Sequence, residues 1–139
     1  MRLFGRAKKP ATLNRRLSMA IGMTYATAAV GYLSETERVD LHKVIPDDEL
    51  LEQALEYTRR TPTTDFLAAC GPLLTAEQKL CLLLNMIDVS MSDGKLQGEE
   101  RALLTEFQNA FGISDSTLEP HLVTLTLKND RRAFDGERS

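Results

Sequence analysis

The sequence predicts an all-α protein of about seven helices. Three observations support this prediction: apolar residues recur at helical spacing along most of the chain, no segment alternates as a β-strand does, and capping residues precede the apolar runs. The chain has 139 residues, of which 42% are apolar and 27% charged, as is typical of one globular domain. No apolar run approaches the ~20 residues that span a membrane.

The first three predicted helices follow one another closely. Residues 13–30 are apolar on most faces, as expected of a central buried helix. Residues 34–45 open with the capping-box spacing of Ser34 and Glu37 and end at a proline. Residues 47–59 begin with acids, which the helix dipole favours. The apolar positions expected on the packed face of the second helix are Val39, Leu41, Val44 and Ile45.

Four more helices are predicted after a Thr-Pro-Thr connector. The first is short and ends at a Gly-Pro pair, and the second starts with the capping-box spacing of Thr75 and Gln78. Gly112 separates the last two helices, and Pro120 lies close enough to the start of the final helix to be tolerated there. The predicted ranges are 64–70, 76–91, 98–111 and 116–129.

Charge divides the chain into a basic start and an acidic body. The first 16 residues carry a charge of +6 and no acid, so the remainder carries −9 within the total of −3. We expect a disordered arm over residues 1–12, a helical domain over 13–128 and a loose tail over 129–139. The acidic body disfavours nucleic acid as a partner. The arm residues that could contact an anionic membrane or an acidic partner are Arg2, Arg6, Lys8 and Lys9.

The two cysteines do not form a recognisable motif. Cys70 and Cys81 lack the spacing of a metal or redox site, and we expect both to be small buried residues of a protein in the reducing cytosol. His42 and His121 have no neighbouring nucleophile motif, and the chain carries no phosphate-binding glycine loop. The sequence therefore predicts a protein that is not an enzyme.

An internal repeat relates the two parts of the chain. With a shift of 63 residues, "GYLSETERVDL" aligns with "GKLQGEERALL", and Met23, Glu37 and Leu41 fall on Met86, Glu100 and Leu104. Each copy reads as a buried helix, a glycine turn, an apolar plug and a Glu-Arg helix. We expect two pseudo-symmetric three-helix halves that pack through the apolar helices 13–30 and 76–91.

The second copy carries a pattern that resembles a known family. In "IDVSMSDGKLQGEERALLTEFQNAFGIS", a buried helix is followed by Asp-Gly, an apolar residue, and a Glu that opens an amphipathic helix. In a duplicated all-α chain of this size, the pattern resembles the family of the tellurite-resistance protein TerB, and membrane-anchored J-domain co-chaperones carry a similar N-terminal domain. The first copy departs from it, because Val30 stands where the motif has Asp. The resemblance implies a cytoplasmic interaction or sensing module in a stress response.

The corner between the fifth and sixth predicted helices is the candidate ion site. Laid on a calcium-binding EF-hand loop, Asp93 takes position 5 and Glu100 the closing position 12, but Val89 and Met91 fall where two oxygen ligands belong. Half of a calcium ligand set is thus absent, so calcium, magnesium or zinc would bind only weakly. The candidate ligands are Asp93 and Glu100, with Asp88 and Glu99 as helpers.

Two alternatives stay open from the sequence. The acids of this corner can simply cap and begin a helix, with no ion bound. The protein would then be an ion-independent module for a protein partner, or an adaptor held at a membrane surface by its basic arm.

Overall fold

The computed structural model describes residues 12–28, 33–91 and 98–136 of the chain. These residues form seven α-helices and one short 3₁₀-helix and contain no β-strand, which confirms the all-α prediction. The bounds are α1 Arg15–Thr27, α2 Glu35–Val44, α3 Asp48–Arg60, α4 Thr63–Cys70, α5 Ala76–Ser90, α6 Gly98–Phe111 and α7 Asp115–Asn129, followed by the 3₁₀-helix Arg131–Phe134. None of the helices in the described ranges is long and apolar enough to cross a membrane.

Local chemistry sets most helix ends where the sequence predicts them. Both capping boxes form: the Ser34 hydroxyl accepts from the Glu37 amide at 3.1 Å, and the Glu37 carboxylate accepts from the Ser34 amide at 2.8 Å. Thr75 begins α5 in the same way. Gly112 ends α6 with a φ of +68°, a conformation that glycine adopts without steric cost.

Helix α1 is the centre of the fold, as predicted. More than half of its residues are buried, and it packs mainly against α3 and α5. A Cβ added at Gly22 would lie 2.8 Å from Leu82 Cδ1, so α1 and α5 approach each other closely at this point. The absence of a side chain at Gly22 is what allows this approach.

An aromatic cluster joins four of the helices. Phe66 of α4 and Phe107 of α6 are fully buried, with ring centroids 6.0 Å apart, and Tyr25 of α1 contacts both. The Tyr25 hydroxyl donates to the Thr61 carbonyl at 2.5 Å. Tyr57 of α3 packs edge-on against Phe66. The short helix α4 is therefore part of the core, which its sequence pattern alone does not indicate.

The two predicted halves are in contact, but the helices within each half do not pack in the same way. Helices α1 and α5 are in contact, as expected. However, α1 is sandwiched mainly between α3 and α5, whereas α5 packs mainly against α1 and α6, and α7 buries only Leu118. The pseudo-twofold relation between the halves stays a prediction, and its two glycine turns lie outside the described residues.

Several sequence-based expectations about burial are wrong. Val39 and Val44 are 54% and 43% exposed, because α2 turns only Leu41 and the following Ile45 into the core. Cys81 is exposed on α5, whereas Cys70 is buried as expected. Burial raises the pKa of the Cys70 thiol to about 11. Residues 131–134 form the exposed 3₁₀-helix, and the predicted loose tail over 129–139 stays a prediction.

Candidate functional site

The last turn of α5 carries Asp88, one of the predicted helper ligands. Its carboxylate accepts hydrogen bonds from Lys128 Nζ at 3.0 and 3.1 Å and from Asn129 Nδ2 at 2.8 Å. The Asn129 amide also donates to the Leu125 carbonyl at 2.9 Å, which fixes its orientation. Asp88 thus ties the end of α7 to the end of α5.

The charge of Asp88 is stabilised by this tie. Partial burial acts to raise the pKa of the carboxyl, but the hydrogen bonds from Asn129 and Lys128 and the charge of Lys128 outweigh it, so the pKa is lowered. Asp88 is therefore a charged group with partners of its own. A cation would have to compete with Lys128 for its oxygens.

Two of the other predicted ligands lie at the start of α6. Glu99 and Glu100 occupy the first turn of α6, where acids complement the helix dipole, and Glu100 is half-buried. Asp93, the central predicted ligand, lies outside the described residues. Within the part of the chain that the structure describes, no group of three or more His, Cys, Asp or Glu side chains could hold a metal ion. The described donors alone do not meet the six to eight oxygens of calcium.

A buried hydroxyl lies next to this corner. Ser90, the last residue of α5, is buried, and its Oγ has no hydrogen-bond partner among the described residues. A buried polar atom without a partner is uncommon, because its desolvation costs about 1–3 kcal/mol. The Ser90 hydroxyl is thus a candidate oxygen ligand for a cation that the sequence analysis did not identify. No spacing rule indicates it, since only burial distinguishes it from any other serine.

The two histidines lie on different helices, His42 on α2 and His121 on α7. His42 Nε2 contacts the Asp48 carboxylate at the start of α3, rather than the acids of its own helix, and the hydrogen bond from His42 lowers the pKa of Asp48. Both groups are exposed to solvent. His121 lies exposed on α7. The His42–Asp48 contact links α2 to α3, in parallel with an ion pair between Arg38 and Glu52 at 3.1 Å.

The basic arm residues Arg2, Arg6, Lys8 and Lys9 lie outside the described residues. The described part of the chain begins just before α1, where Arg16 forms an ion pair with Asp47 at 3.5 Å. This contact places the first turn of α1 beside the start of α3.

An apolar surface that the sequence analysis did not identify lies on α7. Val123 and Leu127 are 64% and 76% exposed, and Phe134 just beyond the helix is 75% exposed. Val123 and Leu127 are four residues apart and therefore neighbours on one helix face. Leu118 is buried on the other side. One property of the sequence could have indicated this surface. The apolar residues of 116–129 fall on more than one helix face, which is unusual for a helix at the edge of a fold.

Comparison with known proteins identifies the family. The family model described as "Tellurite resistance protein TerB" matches residues 18–120, which is most of the helical domain from α1 into α7. Searches of curated proteins and of solved structures gave no match. The match covers more than half of the chain and agrees with the all-α fold. The chain therefore belongs to the family of the tellurite resistance protein TerB.

Proposed function

We propose that this chain is a protein-interaction module of the TerB family that binds a partner through the outer face of α7. The observation that carries the proposal is the exposed pair Val123 and Leu127, with Phe134 beyond it. Adjacent apolar side chains on successive turns fit an amphipathic helix of a partner, which presents its own apolar residues at the same spacing. Exposed apolar residues that cluster are typical of such surfaces.

The charges around this face favour a protein over a membrane. From residue 115 to 136 the chain carries four acids and three basic residues, a net charge of −1. An anionic membrane attracts clusters of basic residues, at about 1 kcal/mol for each one near the surface. A nearly neutral, mixed-sign rim lacks that attraction and suits a partner with both signs of charge.

The tie at Asp88 supports the same proposal. It anchors the C-terminal end of α7 through Lys128 and Asn129, while Leu118 anchors its N-terminal part. A face held at both ends is presented in one orientation, which lowers the ordering cost of binding.

Site-specific photocrosslinking in the native cell tests the proposal. A photoreactive residue at Val123 or at Leu127 should give one discrete crosslinked species, and the same residue at His121, which is exposed on another face of α7, should give none. The change Leu127→Glu should abolish the crosslink from position 123, while His121→Glu should leave it intact. The mass of the species distinguishes a different protein from a second copy of this chain. Equal crosslinking from positions 123 and 121 would sink the proposal.

A second candidate function is weak binding of a divalent cation at the α5–α6 corner. The buried Ser90 hydroxyl at the end of α5 and the two acids in the first turn of α6 support it. Because the described donors are too few, such a site has to include Asp93 together with Glu100, with Glu99 and Asp88 contributing at most as helpers. The candidate ions are calcium, magnesium and zinc.

Thermal unfolding with and without each ion tests the cation site. A ligand that binds only the native state stabilises it by mass action, so millimolar ion should raise the Tm by a measurable amount. Asp93→Asn should remove the rise, and Glu119→Gln on the exposed surface of α7 should not. If no ion raises the Tm of the unmodified chain, the corner is a helix turn without an ion.

A further inference from the structure

The outer face of α7 carries a pattern of charged and apolar residues that is complementary to itself. Glu119, Val123 and Leu127 follow one another at intervals of four. Arg131 continues the interval, one residue beyond the C-cap Asp130. All four side chains of the pattern are exposed. An apolar pair is therefore flanked by an acid on one side and a base on the other, at equal distances from position 125.

The two charges of this pattern are available to a partner. Neither Glu119 nor Arg131 forms an ion pair with any residue in the described part of the chain. The neighbouring Arg132, by contrast, pairs with Asp130 at 2.7 Å, and Lys128 is engaged in the tie to α5. Of the described basic residues at this end of α7, Arg131 is thus the one that can pair with another molecule.

A second copy of the chain presents the matching pattern when its α7 runs antiparallel to the first. In an interface with twofold symmetry, residue i of one copy contacts residue j of the other, and j contacts i. A twofold axis at position 125 places Val123 against Leu127 of the second copy. The same axis places Glu119 against Arg131 of the second copy. Symmetry makes each contact occur twice.

The spacing of the pattern suits the packing of two helices. Side chains at intervals of four form a ridge on the surface of a helix, and two helices that pack by such ridges cross at about 50°, the commonest class in globular proteins. From Glu119 to Leu127 the ridge covers about 12 Å along the axis. An antiparallel arrangement also brings the amino end of each helix near the carboxyl end of the other, which the helix dipoles favour.

We infer that the partner of the α7 face is a second copy of this chain, bound as an antiparallel dimer with twofold symmetry. The inference rests on the proposed function, because it uses the same face and names its partner. The apolar pairs supply the contact area, and the charged pairs select the orientation. A parallel arrangement would oppose Glu119 with Glu119 and Arg131 with Arg131, which like-charge repulsion disfavours.

Sedimentation equilibrium of the full chain tests the inference. The face is small, so we expect a weak dimer and a measurement from about 1 μM to about 1 mM. The average mass should rise from that of one chain, 15.5 kDa, towards twice that value. Leu127→Glu should raise the Kd at least about tenfold, and His121→Glu on another face of α7 should leave it unchanged. A mass that stays at 15.5 kDa over the whole range would overturn the inference.

Exchange of the two charges locates the interface and determines its direction. Glu119→Arg and Arg131→Glu should each raise the Kd several-fold, because like charges then face each other across the dimer. The double variant should recover the original Kd, since both pairs form again with opposite polarity. An equimolar mixture of the two single variants should form the mixed dimer for the same reason. A double variant that associates no better than the single variants would overturn the inference, as would single variants that associate as tightly as the unmodified chain.

A matched control reverses two exposed charges elsewhere. Glu49→Arg on α3 with Arg101→Glu on α6 changes the same numbers of acids and bases and should leave the Kd unchanged. At about 1 M salt, where screening extends only ~3 Å, the single variants of Glu119 and Arg131 should approach the Kd of the unmodified chain. Circular dichroism and the Tm establish that each variant is folded.

Photocrosslinking separates a failure of this inference from a failure of the proposed function. If the inference holds, the photoreactive residue at Val123 gives a species of about twice 15.5 kDa that contains only this chain. A monomeric chain that crosslinks from position 123 to a different protein would overturn the inference and leave the proposed function intact. A monomeric chain that gives no crosslink from this position would overturn both.

Discussion

Helices α3 and α7 are alike on one face and opposite on the other. Aligned at their first residues, Asp48 and Asp115, both turn a leucine into the core one turn later, Leu51 and Leu118. On the solvent side, α3 carries the ion pair of Glu56 and Arg60, 2.6 Å apart. At the two equivalent positions α7 carries the exposed Val123 and Leu127.

This difference shows which side chains of the two helices the fold requires and which it does not. Helix α3 packs along the central helix α1 and buries Leu51, Ala54 and Leu55, so its outer face only has to be soluble. Helix α7 sits at the edge, contacts chiefly α5 and buries only Leu118. An apolar outer face adds nothing to the packing of such a helix. Its presence there is the reason for our proposal that α7 binds a partner.

The largest effect should come from the leucines of the shared inner face. Leu51→Ala should lower the free energy of unfolding by about 3 kcal/mol, because it leaves a cavity beside α1. Leu118→Ala should cost less, about 2 kcal/mol, since the site is closer to solvent and can relax. Chemical denaturation measures both, with Thr126→Ala as a surface control. Equal losses at the two leucines would remove the contrast between a central and a peripheral helix.

The contact between α1 and α5 should give the next largest effect. Gly22→Val places atoms against Leu82 in a filled core and should cost about 2 kcal/mol. Combining it with Leu82→Ala should cost clearly less than the sum of the two single changes, because the second makes room for the first. Gly98→Ala is the control, as a Cβ there meets nothing within 4 Å. Additive losses in the double variant would argue against the close approach.

The tie that holds α7 should contribute less. Asp88→Asn keeps a hydrogen-bond acceptor but loses the charge that pairs with Lys128, and it should cost about 1 kcal/mol at neutral pH. Asp40→Asn, whose exposed partner Lys43 is 3.5 Å away, should cost less than half of that.

The stabilisation from Asp88 should also depend on pH in a defined direction. Its pKa in the folded protein lies below the ordinary 3.8, so the folded state binds fewer protons than the unfolded chain. The contribution is complete above about pH 5 and is lost as the pH falls through the lowered pKa. The difference in stability between the unmodified protein and Asp88→Asn, measured by urea unfolding, should therefore shrink on acidification. A difference that stays constant down to about pH 2 would mean that the charge of Asp88 is not involved.

The smallest effect on stability, and the sharpest test of the comparison, is an exchange of the two outer faces. Val123→Glu with Leu127→Arg copies the α3 pair onto α7, and Glu56→Val with Arg60→Leu does the reverse. Each exchange should change the free energy of unfolding by less than about 0.5 kcal/mol, as is usual for surface positions. In a chain that carries the photoreactive residue at Val123, Leu127→Arg should abolish crosslinking to the partner, and Glu56→Val with Arg60→Leu should leave it unchanged. A large loss of stability in the first variant would show that Val123 and Leu127 serve the fold.

Much of the fold follows from the sequence. Capping residues such as Ser34, Thr75 and Ser114 act on amides within one turn, so the helix ends they specify can be identified from a few adjacent letters. The burial of α1 was also predictable, because apolar residues on most of its faces leave it no solvent side. Membership of the TerB family rests on the match over residues 18–120, and the local pattern at residues 87–114 already indicates the resemblance.

The candidate sites depended far more on the tertiary structure. Asp88 was predicted as a cation ligand, but its contacts with Lys128 and Asn129 span 40 and 41 residues, and no spacing rule reveals them. The same holds for the buried Ser90 and for the pairing of His42 with Asp48. The central predicted ligand, Asp93, lies outside the described residues, so the cation site stays a prediction.

The sequence by itself thus determined the elements: how many helices form, where most begin and end, and which one is central. Those properties arise from interactions between residues a few positions apart, so they can be identified from short segments of the sequence. Only the tertiary structure decided which apolar residues stay exposed. Val39, Val44, Val123 and Leu127 satisfy helical patterns as well as their buried neighbours do. Exposure is set by which helices pack against each face, and that packing joins residues that are distant in the sequence.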